Sequence, residues 1–212
     1  EGGGVLINQC PHQLDLWPWT IGMMPTRIRA FCQFGKHRNI EVENDVTAYA
    51  EYANGATGVF ITSTSDAPGT NRLEVTGDRG KIVIEEGKMT FWRLRQSETE
   101  FNASNKIPFG TPEVWKVEIP DQGPSPEHAG IMQNFTDAVL HGAELIAPGE
   151  EGINGLLISN AIHLSTWTDD WVELPFDEEL HYEELSKRIA SSTFRKSEPA
   201  APAMPVDLSR TF

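Results

Sequence analysis

An amide, an imidazole and a carboxylate lie close together in the stretch GGGVLINQCPHQLDLWPWTIG of residues 2–22. Asn8, His12 and Asp15 are separated by four and three residues, a spacing that places them on one side of a helix. A neutral imidazole is a suitable general acid or base near pH 7, and an amide both donates and accepts hydrogen bonds. A helix here would place the three polar groups at one cleft, with His12 as a candidate proton carrier.

The same three residues also fit structural roles. Asn8 could be the N-cap of a helix that begins at Gln9, with Pro11 in the first turn. A histidine between apolar groups often has a structural partner, and Asp15 could orient a neighbour or brace the helix. The spacing alone leaves these alternatives open.

These residues need a helix over about residues 5–21 to hold them. Its apolar stripe would consist of Leu6, Cys10, Leu14, Trp17 and Ile21. Pro11 and Pro18 lack an amide hydrogen and crowd the preceding turn, so we expect this helix to bend or to start late.

Strand patterns dominate the next hundred residues. Residues 27–34 alternate between apolar and polar side chains, and residues 45–65 form two β-rich runs around Asn54-Gly55, a dipeptide typical of tight hairpins. Four further runs follow: NRLEVTG, then KIVIEE and MTFWRLR after short turns, then VWKVEIP beyond a polar loop. Short connections predict antiparallel neighbours.

Helical patterns follow Pro126. One helix should end at Gly142, a second should start at Pro148, and a third should follow the short strand WVELPF. This order predicts the α+β class, with a mostly antiparallel open-faced β-sheet and helices packed on one face. We expect the domain to span residues 1–192 and the Pro/Ala-rich residues 193–212 to form an extended tail.

Charge and composition exclude several functions. Seventeen Lys and Arg against 31 Asp and Glu give a net charge of −14, which disfavours nucleic acid and membrane surfaces as partners. The two cysteines and the lack of an export leader favour a cytoplasmic protein. Six histidines without a metal-binding spacing predict no metal site. A start at Glu1 on a glycine run indicates a piece of a longer polypeptide.

The opening stretch resembles the segment that begins the C-terminal domain of the Gfo/Idh/MocA oxidoreductases, the family of glucose-fructose oxidoreductase and inositol dehydrogenase. The resemblance continues through RLEVTGDRGKIVIEEG, through EHAGIMQNFTDAVLHGAELIAPGEEGINGLLISNAIHLSTW and through VELPFD. These segments cover most of the chain in the order that the family has.

The resemblance implies a two-domain enzyme. An N-terminal Rossmann domain would bind NAD or NADP, and the present chain would supply the substrate pocket and oligomer contacts. His12 matches the family's catalytic histidine. Asn8 replaces its aspartate, and because an amide cannot relay a proton, Asn8 should hydrogen-bond a substrate hydroxyl. No Gly-x-Gly-x-x-Gly and no Glu-Lys-Pro occurs, so this chain alone should neither bind a dinucleotide well nor turn over.

Three further residues are candidates for substrate binding. Asn71 and Arg72 lie in the loop SDAPGTNRLEV, which resembles the family's sugar-contacting segment, although a turn residue and a solvated cation are the more common roles for such residues. His128 begins a helix and either lines the pocket or makes a local contact. Trp167 and Trp171 either stack on sugar rings or pack in the core.

Together these features predict a sugar, cyclitol or glycoside oxidoreductase that acts on a secondary alcohol. The alternative is a noncatalytic carbohydrate-binding or assembly scaffold, and net hydrolysis or elimination through a transient keto-sugar also fits the residues. We expect a homo-oligomer formed through the open sheet face, because apolar residues lie on both sides of the strands: Val46, Tyr52, Val59, Ile61 and Trp92.

Overall fold

The computed structural model describes residues 3–120, 123, 125–193 and 195, and the chain divides into two compact units. The first unit comprises Glu1–Ser65 and Pro148–Phe212, and the second comprises Asp66–Ala147. Each unit contains a four-stranded antiparallel sheet and helices, which confirms the α+β class. The strands thus form two sheets instead of one. The predicted boundary after residue 192 stays a prediction, because all of 193–212 except Thr193 and Arg195 lies outside the described residues.

The elements follow one another in this order: a π-helical turn Val5–Gln9, α1 Pro11–Ile21, β1 Arg27–Phe34, β2 Glu43–Glu51, β3 Thr57–Ser63, β4 Arg72–Gly77, β5 Gly80–Glu85, β6 Lys88–Leu94, α2 Glu98–Ser104, β7 Val114–Val117, α3 Glu127–His141, a 3₁₀ turn Gly149–Glu151, α4 Gly152–Thr168, β8 Val172–Glu173 and α5 Glu178–Ser191.

The sheet of the first unit has the order β3-β2-β1-β8 and carries the core on one face. Alternate residues of β1 and β2, among them Ile28, Ala30 and Val46, are fully buried against Ile158 and Ile162 of α4. The opposite alternation leaves apolar side chains exposed on the other face: Phe31, Tyr49, Val59 and Ile61. Because side chains of a strand alternate between faces, β1 and β2 cover the core with one half of their residues only.

The hairpin between β2 and β3 forms as the Asn54-Gly55 pair predicts. Only Gly55 has a positive φ, of 83°, and its N–H donates to the Tyr52 carbonyl at 2.9 Å. Asn54 Oδ1 accepts from the Ala56 N–H at 3.0 Å. The turn therefore uses the asparagine as a side-chain acceptor and the glycine for the left-handed backbone.

The predicted helix over residues 5–21 is interrupted. The first five residues form the π-helical turn, in which the Cys10 N–H donates to the Val5 carbonyl at 3.0 Å. α1 then begins at Pro11, where the missing amide hydrogen does no harm, and ends at Gly22 with φ 80°. Cys10 occupies the N-cap position of α1, so the prediction of Asn8 as N-cap was wrong.

The sheet of the second unit runs β4-β5-β6-β7 in sequence order, and short turns join its first three strands as predicted. α3 ends at Gly142 with φ 70°, also as predicted. α2 lies in a segment that the sequence analysis left as a loop. Its start is a complete capping box, in which Ser97 Oγ accepts from the Glu100 N–H at 3.1 Å.

No helix within the described residues is both long enough and apolar enough to cross a bilayer.

Candidate functional site

His12 is the second residue of α1 and its side chain is exposed. Asn8 lies one turn earlier in the π-helical turn, is also exposed, and donates its backbone N–H to the Gly4 carbonyl at 3.0 Å. The imidazole is therefore at the surface of the first unit, where a substrate can reach it.

A cavity of about 320 Å³ opens beside His12. Asp15 and the apolar side chains of Leu6, Leu14 and Leu156 line it. Gly152 and Gly155 of α4 form part of the wall. Asn8 is not among the lining residues, so the structure brings His12 and Asp15 to one cavity and leaves Asn8 outside it.

Ser159 of α4 adds a polar group to the wall of this cavity. Its side chain is 1% exposed, and its Oγ has no hydrogen-bond partner among the described residues. A buried hydroxyl without a partner is uncommon and calls for an explanation. Ser159 was not predicted, because one serine in an apolar helix gives no sequence signal.

A buried carboxylate lies beneath the π-helical turn. Glu43, at the start of β2, is 3% exposed, and its Oε1 accepts a hydrogen bond of 3.0 Å from the Leu6 N–H. The carboxylate passes so close to Gly4 that a Cβ there would overlap it and the Glu43 carbonyl. This contact explains one member of the opening glycine run: Gly4 leaves room for Glu43.

His163 of α4 completes this buried pair. Its Nε2–H donates to Glu43 Oε2 at 3.1 Å, and its ring stacks on Trp167 at a centroid distance of 5.3 Å. Burial raises the pKa of Glu43, but the hydrogen bond and charge of His163, together with the Leu6 amide, outweigh that effect and hold the pKa below its ordinary value. The sequence analysis missed both residues.

Other side chains of the protein pack against the rings of Trp167 and Trp171. The Arg188 guanidinium lies 4.4 Å from the Trp167 ring centroid, and Arg27 lies 4.4 Å from that of Trp171. Tyr49 meets Trp171 edge-on. These contacts favour the packing role over sugar stacking.

A larger cavity of about 770 Å³ lies within the first unit, and both Glu43 and His163 are among the residues that line it. Gly3, Gly4 and Ile7 line one part of it, and Trp167 and Arg188 line another. Its walls are mainly apolar, and Trp167 is the one candidate from the sequence analysis among its lining residues.

The three remaining candidates belong to the second unit. Asn71 is exposed and immediately precedes β4. Arg72 forms ion pairs with Glu74 and with Glu85, the latter at 2.7 Å. His128 is the second residue of α3 and is exposed. Their role in substrate binding stays a prediction, and Arg72 already has two carboxylate partners.

The described residues offer no cradle for a dinucleotide pyrophosphate. Both sheets are antiparallel, whereas the nucleotide-binding turn connects parallel strands. At the start of the π-helical turn, the Leu6 amide is bound by the Glu43 carboxylate, whose charge would repel a phosphate. The described residues also contain no cluster of three or more metal-ligating side chains.

Comparison with solved structures shows the same fold. WlbA dehydrogenase from Bordetella pertussis, solved with NADH and UDP-GlcNAcA, is 21% identical with a TM-score of 0.60, covering 82% of this chain and 46% of that chain. WlbA from Chromobacterium violaceum, with the same ligands, is 22% identical with a TM-score of 0.63, covering 82% and 47%. Aldose-aldose oxidoreductase from Caulobacter crescentus, solved with glycerol, is 20% identical with a TM-score of 0.63, covering 81% and 48%.

The chain spans about half the length of these structures. No curated protein matches it significantly. The family model described as the GFO/IDH/MocA C-terminal domain matches residues 1–83, which include the π-helical turn, α1 and the first sheet up to β3. Residues 1–83 are therefore similar to the C-terminal domain of the Gfo/Idh/MocA family, in agreement with the resemblance seen in the sequence.

Proposed function

We propose that this chain is the substrate-binding portion of an NAD(P)-dependent oxidoreductase that acts on a secondary alcohol of a sugar, cyclitol or glycoside. The family match and the similar dehydrogenase structures support the reaction class. The observation that carries the proposal within this chain is the exposed His12 beside a cavity of about 320 Å³.

In this proposal His12 takes the proton of the reacting hydroxyl and returns it in the reverse reaction. A histidine is suited to this task because its ordinary pKa lies near neutral pH. Asp15 lines the same cavity and can orient a hydroxyl or the imidazole. Asn8, exposed one turn earlier, would hydrogen-bond a second hydroxyl from outside the cavity.

The nicotinamide cofactor would be held by polypeptide outside this sequence, because the described residues lack a pyrophosphate cradle. Calorimetric titration of the chain with NADH tests this part of the proposal. We expect no heat of binding, and a micromolar dissociation constant would contradict it.

The test of the catalytic role uses the parent polypeptide that contains this chain. His12→Ala should lower kcat by about 10²- to 10⁴-fold, the usual contribution of a general acid or base. His141→Ala is a matched control, because His141 is an exposed histidine at the end of α3. Unchanged turnover in folded His12→Ala protein would favour the scaffold alternative.

The open face of the first sheet supports a homo-oligomer as part of the proposal. Val59 and Ile61 of β3 are 62% and 71% exposed, and Ile61 is paired through Thr47 with Phe31 of β1. Val46 and Tyr52, two of the five residues expected on the two sides of the strands, are buried in the core, and Trp92 belongs to the other sheet. A second copy of the chain would cover this apolar strip symmetrically.

Light scattering tests the oligomer. Ile61→Lys should lower the measured mass towards that of the monomer, because it places a charge in the apolar strip. Met89→Lys, a half-exposed position on β6, serves as the control. A monodisperse monomer for the unmodified chain would contradict the proposed contact.

A further inference from the structure

The backbone that leads to Asn8 and His12 is held from beneath by one buried side chain. The Leu6 N–H lies at the start of the π-helical turn, where no carbonyl of the same turn is available to it. Glu43 Oε1 accepts this hydrogen bond across 37 residues of sequence, and both residues are almost fully buried. β2 is thereby joined to the turn at its first residues.

The second oxygen of the Glu43 carboxylate contacts α4. His163 Nε2 lies 3.1 Å from Glu43 Oε2, and the His163 side chain is 9% exposed. α4 also provides Ser159 and Gly155 to the cavity beside His12. One carboxylate therefore joins the turn that carries Asn8 to α4, which lines the cavity beside His12.

Gly4 makes this close approach possible. Its φ of −95° suits any residue, so the absence of a side chain matters here for space rather than for backbone freedom. A Cβ at Gly4 would overlap the Glu43 carboxylate. The Glu43 carboxylate therefore contacts the turn at two points, the space left by Gly4 and the Leu6 amide.

We infer that Glu43, held by His163, is a positioning residue that fixes the π-helical turn and with it the placement of Asn8 and His12. This inference rests on the proposed function for its catalytic consequence. Its structural part, the anchoring of the Leu6 amide, stands by itself. A misplacement of about 1 Å is enough to lower turnover strongly, so the anchor matters for a proton carrier at the next helix.

Two substitutions of Glu43 distinguish the effect of its side-chain length from the effect of its charge. Glu43→Asp keeps the charge but shortens the side chain by one methylene, so its carboxylate no longer reaches Leu6. Glu43→Gln keeps the length and the acceptor oxygen but removes the charge. In amide hydrogen exchange followed by NMR, we expect the Leu6 amide to exchange about tenfold faster in Glu43→Asp and to stay protected in Glu43→Gln.

Gly4→Ala tests the same contact from the opposite side and should also accelerate exchange at Leu6. Gly149→Ala is its control, since Gly149 has no heavy atom within 4 Å of a Cβ position. The amides of Ala48 and Ala50 in β2 are internal references. Equal acceleration at Leu6, Ala48 and Ala50 would overturn the inference, because Glu43 would then be a general core residue, and so would unchanged exchange at Leu6.

The catalytic consequence is measured in the parent polypeptide. Glu43→Asp should lower kcat about tenfold with the KM for the nicotinamide cofactor unchanged, and Glu43→Gln should recover most of the loss. Glu51→Asp is the control, because Glu51 lies at the far end of β2 in a surface ion pair with Arg27. An equal loss in Glu51→Asp would overturn the positioning role. The exchange result decides the anchoring even if His12→Ala leaves turnover intact.

Discussion

The two units differ in how they are held together. In the first unit, the sheet and α4 enclose a core of fully buried side chains that includes Leu6, Ile28 and Ile162. Among the described residues of the second unit, only Val83, Ser97 and Pro112 are buried. α3 has no buried residue and exposes Ile131 and Phe135.

This difference shows which unit can hold a site at fixed geometry. A dense core resists displacement, so a turn anchored to it keeps its position. The second unit depends more on pairing between strands and on surface ion pairs, such as Arg72 with Glu85 and Lys81 with Glu74. Such contacts open more easily. Four substitution pairs, one member in each unit, test this comparison.

The largest difference is expected for histidine substitutions. His163→Leu leaves the buried Glu43 carboxylate without its charge partner, and we expect a loss of about 3–5 kcal/mol in the free energy of unfolding. His141→Leu, at the exposed end of α3, should cost less than about 1 kcal/mol. Urea unfolding followed by circular dichroism measures both. Similar losses would remove the distinction between the units.

Isoleucine truncations in two helices come next. Ile162→Ala in α4 removes a fully buried side chain and should cost about 2–5 kcal/mol. Ile131→Ala in α3, where the side chain is 47% exposed, should cost less than about 1 kcal/mol. The same urea titrations report the result. A larger loss for Ile131→Ala would indicate that a partner covers α3 in solution.

The fall in the free energy of unfolding at acid pH should depend on Glu43 more than on Glu74. The pKa of Glu43 is lowered although burial opposes this, and the pKa of Glu74 is lowered by Lys81 and Arg72. A lowered pKa contributes stability above the unfolded value, ordinarily 4.5, and this contribution disappears as pH falls through the folded pKa. Glu43→Gln should therefore flatten the fall in unfolding free energy between about pH 6 and pH 3. Glu74→Gln should flatten it less, because solvent screens its pairs.

The smallest difference is expected between two arginines. Arg72→Ala removes exposed ion pairs in the second unit and should change the free energy of unfolding by less than about 1 kcal/mol. Arg29→Ala in the first unit should cost more, because Arg29 also donates to the Ser165 carbonyl at 3.1 Å and lies 4.6 Å from the Phe31 ring centroid. Thermal unfolding of both variants at low and high salt measures these effects. The interpretation would be contradicted if the loss of stability in Arg29→Ala depended more strongly on salt than the loss in Arg72→Ala.

Local patterns predicted most elements of the fold. Alternation identified β1, the Asn54-Gly55 pair identified the β2–β3 hairpin, and Gly142 identified the end of α3. Two prolines correctly indicated an irregular helix around Pro11, but not a π-helical turn. α2 was missed although Ser97 and Glu100 form a recognisable capping box. Each of these signals acts over a few residues, which is why sequence alone can reveal it.

The partition of strands into two sheets had no such signal. Strand runs of similar length and composition follow one another from β1 to β7, and only distant contacts decide which of them pair. Burial along α4 had no local signal either. Ile153 is half exposed, while the polar residues Ser159, His163 and Ser165 are buried beside Ala161 and Leu164. Burial of polar residues depends on partners that hydropathy does not show.

The sequence by itself determined the α+β class, the similarity of residues 1–83 to the Gfo/Idh/MocA C-terminal domain and the histidine that could do chemistry, because these depend on local spacing and on motif order. Only the tertiary structure decided that Asp15 shares the cavity with His12, that Asn8 does not, and that Glu43 and His163 meet beneath the turn. Glu43 and His163 are 120 positions apart by their numbers, and such a contact exists only after β2 and α4 have packed on each other. A buried charge is stable only beside a partner, so the fold and not the local sequence selects that pair.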